Sequence, residues 1–173
     1  SYLVVKRATA TTEGGTFTLE SEFTPNHDVA VTGVELSATM VYEGNELNIT
    51  VTVRNKGLNP ESFNVTTYYN NTSLASMQTV WNLAAGATTT LDFSWDTSGR
   101  IFGNYNLTAQ ASFVQNEFAT ADNTRAYDGL VYVKIPGDVT SDGTVGISDL
   151  VDFNRAFGTV SYTHLRAHET VLD

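Results

Sequence analysis

Asp138, Asp142 and Asp149 stand at positions 1, 5 and 12 of the run DVTSDGTVGISD, with Gly143 at position 6. Carboxylates at that spacing can surround a hard cation, and calcium, which takes about six to eight oxygen ligands, is the ion the spacing fits. Asp138 and Asp142 would supply carboxylates from one side. Gly143 permits the sharp turn, the Thr144 carbonyl faces the ion, and Asp149 closes the shell from the first turn of a helix. Two positions are weaker: Thr140 replaces the commoner Asp or Asn at position 3, and Gly146 at position 9 offers no side chain, so water must stand in. The same residues would also make an acidic turn that merely caps a helix. At this chain's Asp and Gly frequencies the four-residue coincidence arises on the order of once in several hundred chains of this size, which favours calcium.

The flanks position this loop. Apolar residues at 150, 153 and 157, and in part at 147 and 151, form a helical stripe that Gly158 is expected to stop. Tyr132 to Ile135 read as a strand that Pro136 ends, so no helix enters the loop. A loop of the EF-hand kind with only its exiting helix, in the setting Ile135-Pro136-Gly137-Asp138-Val139 and ISDLV with Asn154 and Ala156-Phe157-Gly158, resembles the first repeat of a type I dockerin. The resemblance covers about residues 137–158. It implies Ca²⁺ as the cofactor, Asp138, Thr140, Asp142, Thr144 and Asp149 as its ligands, and a cohesin-type protein module as the partner of a complete dockerin, which carries two such repeats. No second loop of this pattern follows Gly158. Instead SYTHLRAHETVLD, residues 161–173, resembles a translated sequencing-adapter fragment of the kind found in metagenomic assemblies, which would place it outside the natural fold. A short genuine helix, or His164 and His168 as an i, i+4 metal pair, are the alternatives, and we assign these residues no function.

Composition sets outer limits. A net charge of −10, from nine basic and nineteen acidic residues, argues against nucleic-acid binding, which needs a basic stripe. The absence of Cys excludes a disulfide scaffold and a thiol nucleophile. The chain begins at Ser1 without an initiator Met, and both ends read as truncated; no stretch is long and apolar enough to span a membrane. Abundant Thr, Asn and Gly with few Lys and Arg suit an extracellular or cell-surface β-protein. Five glycosylation sequons begin at Asn48, Asn64, Asn70, Asn71 and Asn106, in the same direction, although strand-compatible Asn and Thr alternation would produce them too.

The body of the chain has period two. Leu47, Ile49, Val51 and Val53 alternate with polar residues, as do Phe63 with Val65, Leu91 with Phe93 and Trp95, and Tyr105 through Phe113. Val29 to Leu36 open the module and Leu130 to Ile135 close it. Turn signals at 43–45, 55–60, 70–71, 85–86, 96–99 and 122–123 separate these runs. The expectation is a mainly β fold, a seven-stranded antiparallel immunoglobulin-like β-sandwich over 27–135, with a short C-terminal calcium loop-helix appendage over 136–160. Trp95 is expected in the core. Residues 1–26 read as the end of a preceding module, with a strand-like run from Phe17 to Phe23 and a linker at 24–26.

The words HDVAVTGVE, LNITVTVRNKG, FSWDTSG with NYNLTAQA, and ADNT, in that order, resemble the CARDB family, the cell-adhesion-related domain found in bacteria. Such modules are common in archaeal surface proteins, often directly ahead of dockerin repeats. The resemblance implies a non-catalytic sandwich in an extracellular, multi-module protein.

A catalytic site is not legible. His27 is the one histidine placed to assist a nucleophile, and it sits in a linker. Pairs such as Asp92 with Asp96, or Glu43 with Glu46, lie at strand edges and turns where solvated carboxylates are ordinary. Two readings follow. The first is a structural or adhesive extracellular module, meeting a cell-surface glycan or protein and attached through its calcium-binding half-repeat. The second is the non-catalytic end of a secreted polysaccharide- or peptide-degrading hydrolase tethered by cohesin-dockerin binding.

Overall fold

The computed structural model describes residues 3–8 and 19–165. In chain order the elements are β1 (Leu3–Ala8), β2 (Leu19–Phe23), β3 (Val29–Leu36), β4 (Met40–Tyr42), β5 (Glu46–Asn55), β6 (Glu61–Tyr69), β7 (Thr72–Leu83), β8 (Thr88–Asp96), β9 (Gly103–Tyr105), β10 (Leu107–Ala111), a 3₁₀ turn (Thr120–Asn123), β11 (Thr124–Ala126), β12 (Val131–Lys134) and the helix α1 (Ile147–Leu165). They fall into two compact units: Ser1–Ser37 with Asn48–Ser94 and Asn106–Gly129, and Ala38–Leu47 with Trp95–Tyr105 and Leu130–Asp173.

The first unit holds two sheets, ordered β11-β10-β6-β7 and β3-β5-β8, with β3 lying against β10 and β11. Alternation builds their facing sides. Val29, Val31 and Val34 from β3, Ile49, Val51 and Val53 from β5, and Phe93 from β8 are buried. They share the core with Phe63 and Val65 of β6 and with Leu107, Ala109 and Ala111 of β10. This is the expected sandwich. Burying one such aliphatic or aromatic side chain contributes roughly 1.5–3 kcal/mol, so period-two patterning over seven strands is sufficient to specify it. β1 and β2 form a separate two-stranded antiparallel sheet.

Ten strands lie between residues 27 and 135 where seven are expected; β4, β9 and β11 are three residues each, too short to leave an alternating signature. The single run expected from Tyr105 to Phe113 is two strands, β9 and β10, broken at Asn106, and Phe113 is 77% exposed. The second unit carries the sheet β4-β12-β9, in which β12 pairs parallel with β4 and antiparallel with β9. A parallel pair needs a long connection rather than a hairpin, and the chain between β4 and β12 supplies one. The expected stop at Gly158 is absent, since α1 runs on to Leu165. An interior Gly costs a helix only about 1 kcal/mol and ends it only where the following backbone turns left-handed.

One knot ties the first unit together. Asn55 is fully buried, and its Nδ2 donates to the carbonyls of Asn59 at 2.7 Å and Leu83 at 2.8 Å while its Oδ1 accepts from Gly57 N at 2.9 Å. The turn it holds closes over Asn26 and Asp28: Lys56 N and Gly57 N both donate to Asp28 O, and Leu58 N donates to Asn26 O. A Cβ at Gly57 would stand 2.7 Å from Asn26 O and 2.9 Å from Asp28 N, both backbone atoms that cannot swing aside. Gly57→Ala should therefore destabilise by about 1–3 kcal/mol, and Asn55→Ala by a similar amount because the carbonyls of Asn59 and Leu83 lose this donor and Gly57 N is left with Asp28 O alone. Urea denaturation should show a lower midpoint at unchanged slope for both.

Candidate functional site

The loop Asp138–Asp149 belongs to the second unit, between β12 and α1. Its carboxylates are turned onto the loop's own backbone. Asp138 Oδ1 accepts from Asp142 N at 3.1 Å and its Oδ2 from Gly143 N at 2.9 Å. Asp142 Oδ1 accepts from Thr144 N at 2.9 Å and from Thr144 Oγ1 at 2.7 Å. Asp149 reaches back from the first turn of α1, where Oδ1 accepts from Thr140 N and Thr140 Oγ1, each at 3.0 Å, and Oδ2 from Gly146 N at 2.7 Å. Thr140 Oγ1 also lies 3.4 Å from Asp138 Oδ1. The three aspartates and the two threonines singled out from the sequence are thus joined in one hydrogen-bonded network that runs from Thr144 through Asp142, Asp138 and Thr140 to Asp149.

Backbone geometry explains the glycine. Gly143 has φ +87°, which L side chains rarely adopt, and a Cβ there would run into the ring of Phe102. Phe102 in turn packs edge-on against Tyr132 of β12, with centroids 6.3 Å apart and planes at 83°. Phe102 therefore seats the loop on the sheet of its own unit. Sequence reasoning missed it, because one aromatic in the turn between Ser98 and Gly103 carries no periodic signal. Beside the loop, Gly137, Val139, Val145, Leu150 and Phe153 line a mostly apolar groove of about 220 Å³ whose floor includes Asp149.

Asp149 is 4% exposed. The backbone N–H groups of Thr140 and Gly146, aimed at its carboxylate, hold its pKa down at about 2. Asp142 is also lowered, first by the Thr144 hydroxyl and then by the Thr144 N–H. The donor set is all oxygen, with three carboxylates on one loop, and it has the chemistry of a hard-cation site. Among the described residues, however, no group of three or more His, Cys, Asp and Glu side chains is arranged to hold a metal ion. Any cation must displace the loop's own donors.

The other sequence candidates lie apart. Asn48, Asn70, Asn71 and Asn106 are exposed and Asn64 is half-buried. Asn64 Oδ1 accepts from Thr79 Oγ1 at 2.8 Å, and Asn70 Oδ1 from Asn106 N at 2.9 Å. Asn70 and Asn71 form a turn with φ +43° and +66°. His27 pairs with Glu61 at 2.5 Å. Three of the four carboxylates weighed for acid–base work serve structure: Asp92 accepts from Thr50 Oγ1 at 2.8 Å, Asp96 from Ser98 N at 2.8 Å and Glu43 from Gly99 N at 2.7 Å. Trp95 is 1% exposed, as expected, and meets Tyr105 edge-on at 5.2 Å. His168 lies outside the described residues. No helix among the described residues is long and apolar enough to cross a membrane.

The fold is thus a mainly β sandwich module of the immunoglobulin-like class. A family model, CARDB, matches residues 26–124, more than half of the chain, and the chain belongs to that family. The CARDB domain of the PF1109 protein from Pyrococcus furiosus, crystallised in complex with di-metal ions, is 22% identical with a TM-score of 0.53, over 66% of this chain and 98% of that one. A domain of a protein assigned to the cell surface of Methanosarcina acetivorans is 27% identical with a TM-score of 0.48, over 62% and 91%. A β-glucosidase from Erythrobacter marinus matches over 62% of this chain but 15% of its own, at 12% identity and a TM-score of 0.47. No curated protein matches.

Because its pKa is depressed in the folded loop, the Asp149 carboxylate stabilises the loop fully above the ordinary carboxylate range near pH 4, and this contribution is lost as pH falls from about 4 to about 2. The protection factors of the Thr140 and Gly146 amides, exchange rates taken relative to the unstructured chain at the same pH, should fall over that interval in the native chain. In Asp149→Ala they should be low at every pH, and unchanged protection would show that Asp149 does not hold the loop.

Proposed function

We propose that this chain is a non-catalytic extracellular adhesion module whose C-terminal loop–helix binds calcium and serves protein–protein attachment. Membership of the CARDB family carries the first half of this reading. No matched family supplies a catalytic role, and the histidine and three of the four carboxylates that could have acted as catalysts are engaged in turns and strand pairs. A place at the cell surface or outside the cell fits the Thr-, Asn- and Gly-rich composition with few Lys and Arg, and the exposed sequons at Asn48, Asn71 and Asn106.

The second half rests on one observation: Asp138, Asp142 and Asp149 converge through Thr140 and Thr144 on a loop whose Gly143 turns left-handed. Calcium would be held by the carboxylates of these aspartates, with Thr140 and the Thr144 carbonyl completing the shell. The first-repeat dockerin pattern of residues 137–158 points to a cohesin-type module as the attachment partner, with the apolar groove around Leu150 and Phe153 beside the loop as contact surface. Residues 161–173 take no part in this reading.

Since calcium must displace N–H donors already paired to the carboxylates, binding should be weak, with a Kd of about 10⁻⁴ to 10⁻³ M, typical of extracellular modules. Calorimetry and amide shifts at Thr140, Asp142 and Gly146 should report it at millimolar calcium, reversed by chelator. Asp138→Ala should abolish it. No response at millimolar calcium would refute the ligand assignment.

A further inference from the structure

The outward face of the sheet β11-β10-β6-β7 differs in chemistry from the rest of the chain. Strand register sets Met77, Thr66, Gln110 and Thr124 in one row across the four strands. Tyr68, Thr108 and Ala126 form the next row, and Thr79 and Asn64 lie on the other side with Ser112, whose N donates to Asn64 O. Their neighbours in sequence, Val65, Thr67, Ala109 and Ala111, are buried, so alternation turns these side chains outward. None of them is charged, in a chain with nine basic and nineteen acidic residues. What the face offers is hydroxyls, amides and aromatic rings.

A groove is built into it. Tyr68, Thr108, Gln110 and Thr124, with Asn71 at one end, line a cavity of about 240 Å³. Tyr68 Oη donates to Gln110 Oε1 at 3.3 Å, which ties the ring across β6 and β10. Trp81 follows Thr79 on the same side of β7 and is 76% exposed. An indole left in water forgoes more apolar burial than almost any other side chain.

The ligand chemistry follows by elimination. A charged ligand finds no counter-charge on this face, and an anionic one also meets the repulsion of a net charge of −10. A flat protein partner would desolvate Thr66, Asn64, Gln110 and Thr124 and must pair each of them again or incur the cost of burying them unsatisfied. A chain of neutral sugars meets both demands, since its hydroxyls pair with amides and hydroxyls while its C–H faces stack on aromatic rings. We propose that this face binds a neutral oligosaccharide, with Tyr68, Thr108, Gln110 and Thr124 forming the central subsite and Trp81 an outer stacking platform. These residues are separate from the calcium loop, so the proposal stands or fails independently of the attachment reading.

The test uses the full chain with laminarihexaose, cellohexaose and mannohexaose as neutral probes and an oligogalacturonate of the same length as the acidic control. Trp95 is 1% exposed, so a change in tryptophan fluorescence on titration reports Trp81. At least one neutral hexamer should change that fluorescence and shift the amides of Thr66, Tyr68, Thr108, Gln110 and Thr124, with or without chelator. Trp81→Ala, at an exposed site where folding is not at risk, should weaken binding about tenfold, and Gln110→Ala should weaken it with the far-UV spectrum unchanged. The proposal is overturned if no neutral hexamer moves these amides at millimolar concentration, if the oligogalacturonate binds more tightly, or if the same amides shift with protein concentration alone, which would assign the face to a protein contact.

Discussion

The buried amide of Asn55 is the interaction on which the sandwich unit most depends. A fully buried polar side chain costs stability unless each of its groups is paired, and Asn55 pairs with three backbone sites at once, on the Gly57–Asn59 turn and at the end of β7. Strand β5 can then end without orphaned backbone groups, and the turn can fold back over Asn26 and Asp28 at the start of β3. Asp28 itself is buried, and desolvation raises its pKa against the opposing pull of Lys56. Lys56 also donates to Asp122 at 2.6 Å. Glu117 completes the seam, one oxygen accepting from Val29 N at 2.9 Å and the other from Val114 N at 2.9 Å and Asn123 Nδ2 at 3.0 Å. The strand ends of this unit are therefore held by a small set of specific polar contacts, while its interior is held by alternating aliphatics.

The loop–helix follows the same logic with fewer residues. Its carboxylates satisfy the backbone donors that a tight loop exposes, and its glycine leaves room for an aromatic ring from the same unit. Thr97 plays the equivalent part at the turn after β8: it is fully buried, and its hydroxyl lies 3.0 Å from Tyr42 O and 2.7 Å from Asn45 O. A calcium-type loop and a helix-capping turn are in this sense one structure. The aspartates that could bind an ion are the aspartates that organise the loop, which is why a sequence pattern is legible there before any ion is considered.

Six alternating runs, their turn signals and the buried tryptophan were legible in the sequence because period two and a buried face are the same fact seen in one dimension and in three. The three-residue strands β4 and β11 were not, because three residues are too few to alternate, and neither was the long β7, Thr72–Leu83, which was not read as an alternating run. Nor was the parallel pairing of β12 with β4, which depends on where a long connection returns. Gly158 carried a true local tendency that the structure overrode, since nothing in the backbone there turns left-handed to end the helix.

The sequence by itself determined the mainly β class, the family and the set of oxygen-bearing residues in the Asp138–Asp149 loop, because each depends on residue type at short spacing. Only the tertiary structure decided that Phe102 seats that loop, that Asn55 and Gly57 lock the strand ends, and that residues as distant as Thr66, Gln110 and Thr124 share one uncharged face. Those relations join positions tens of residues apart, and strand pairing, which no local pattern encodes, is what brings them together.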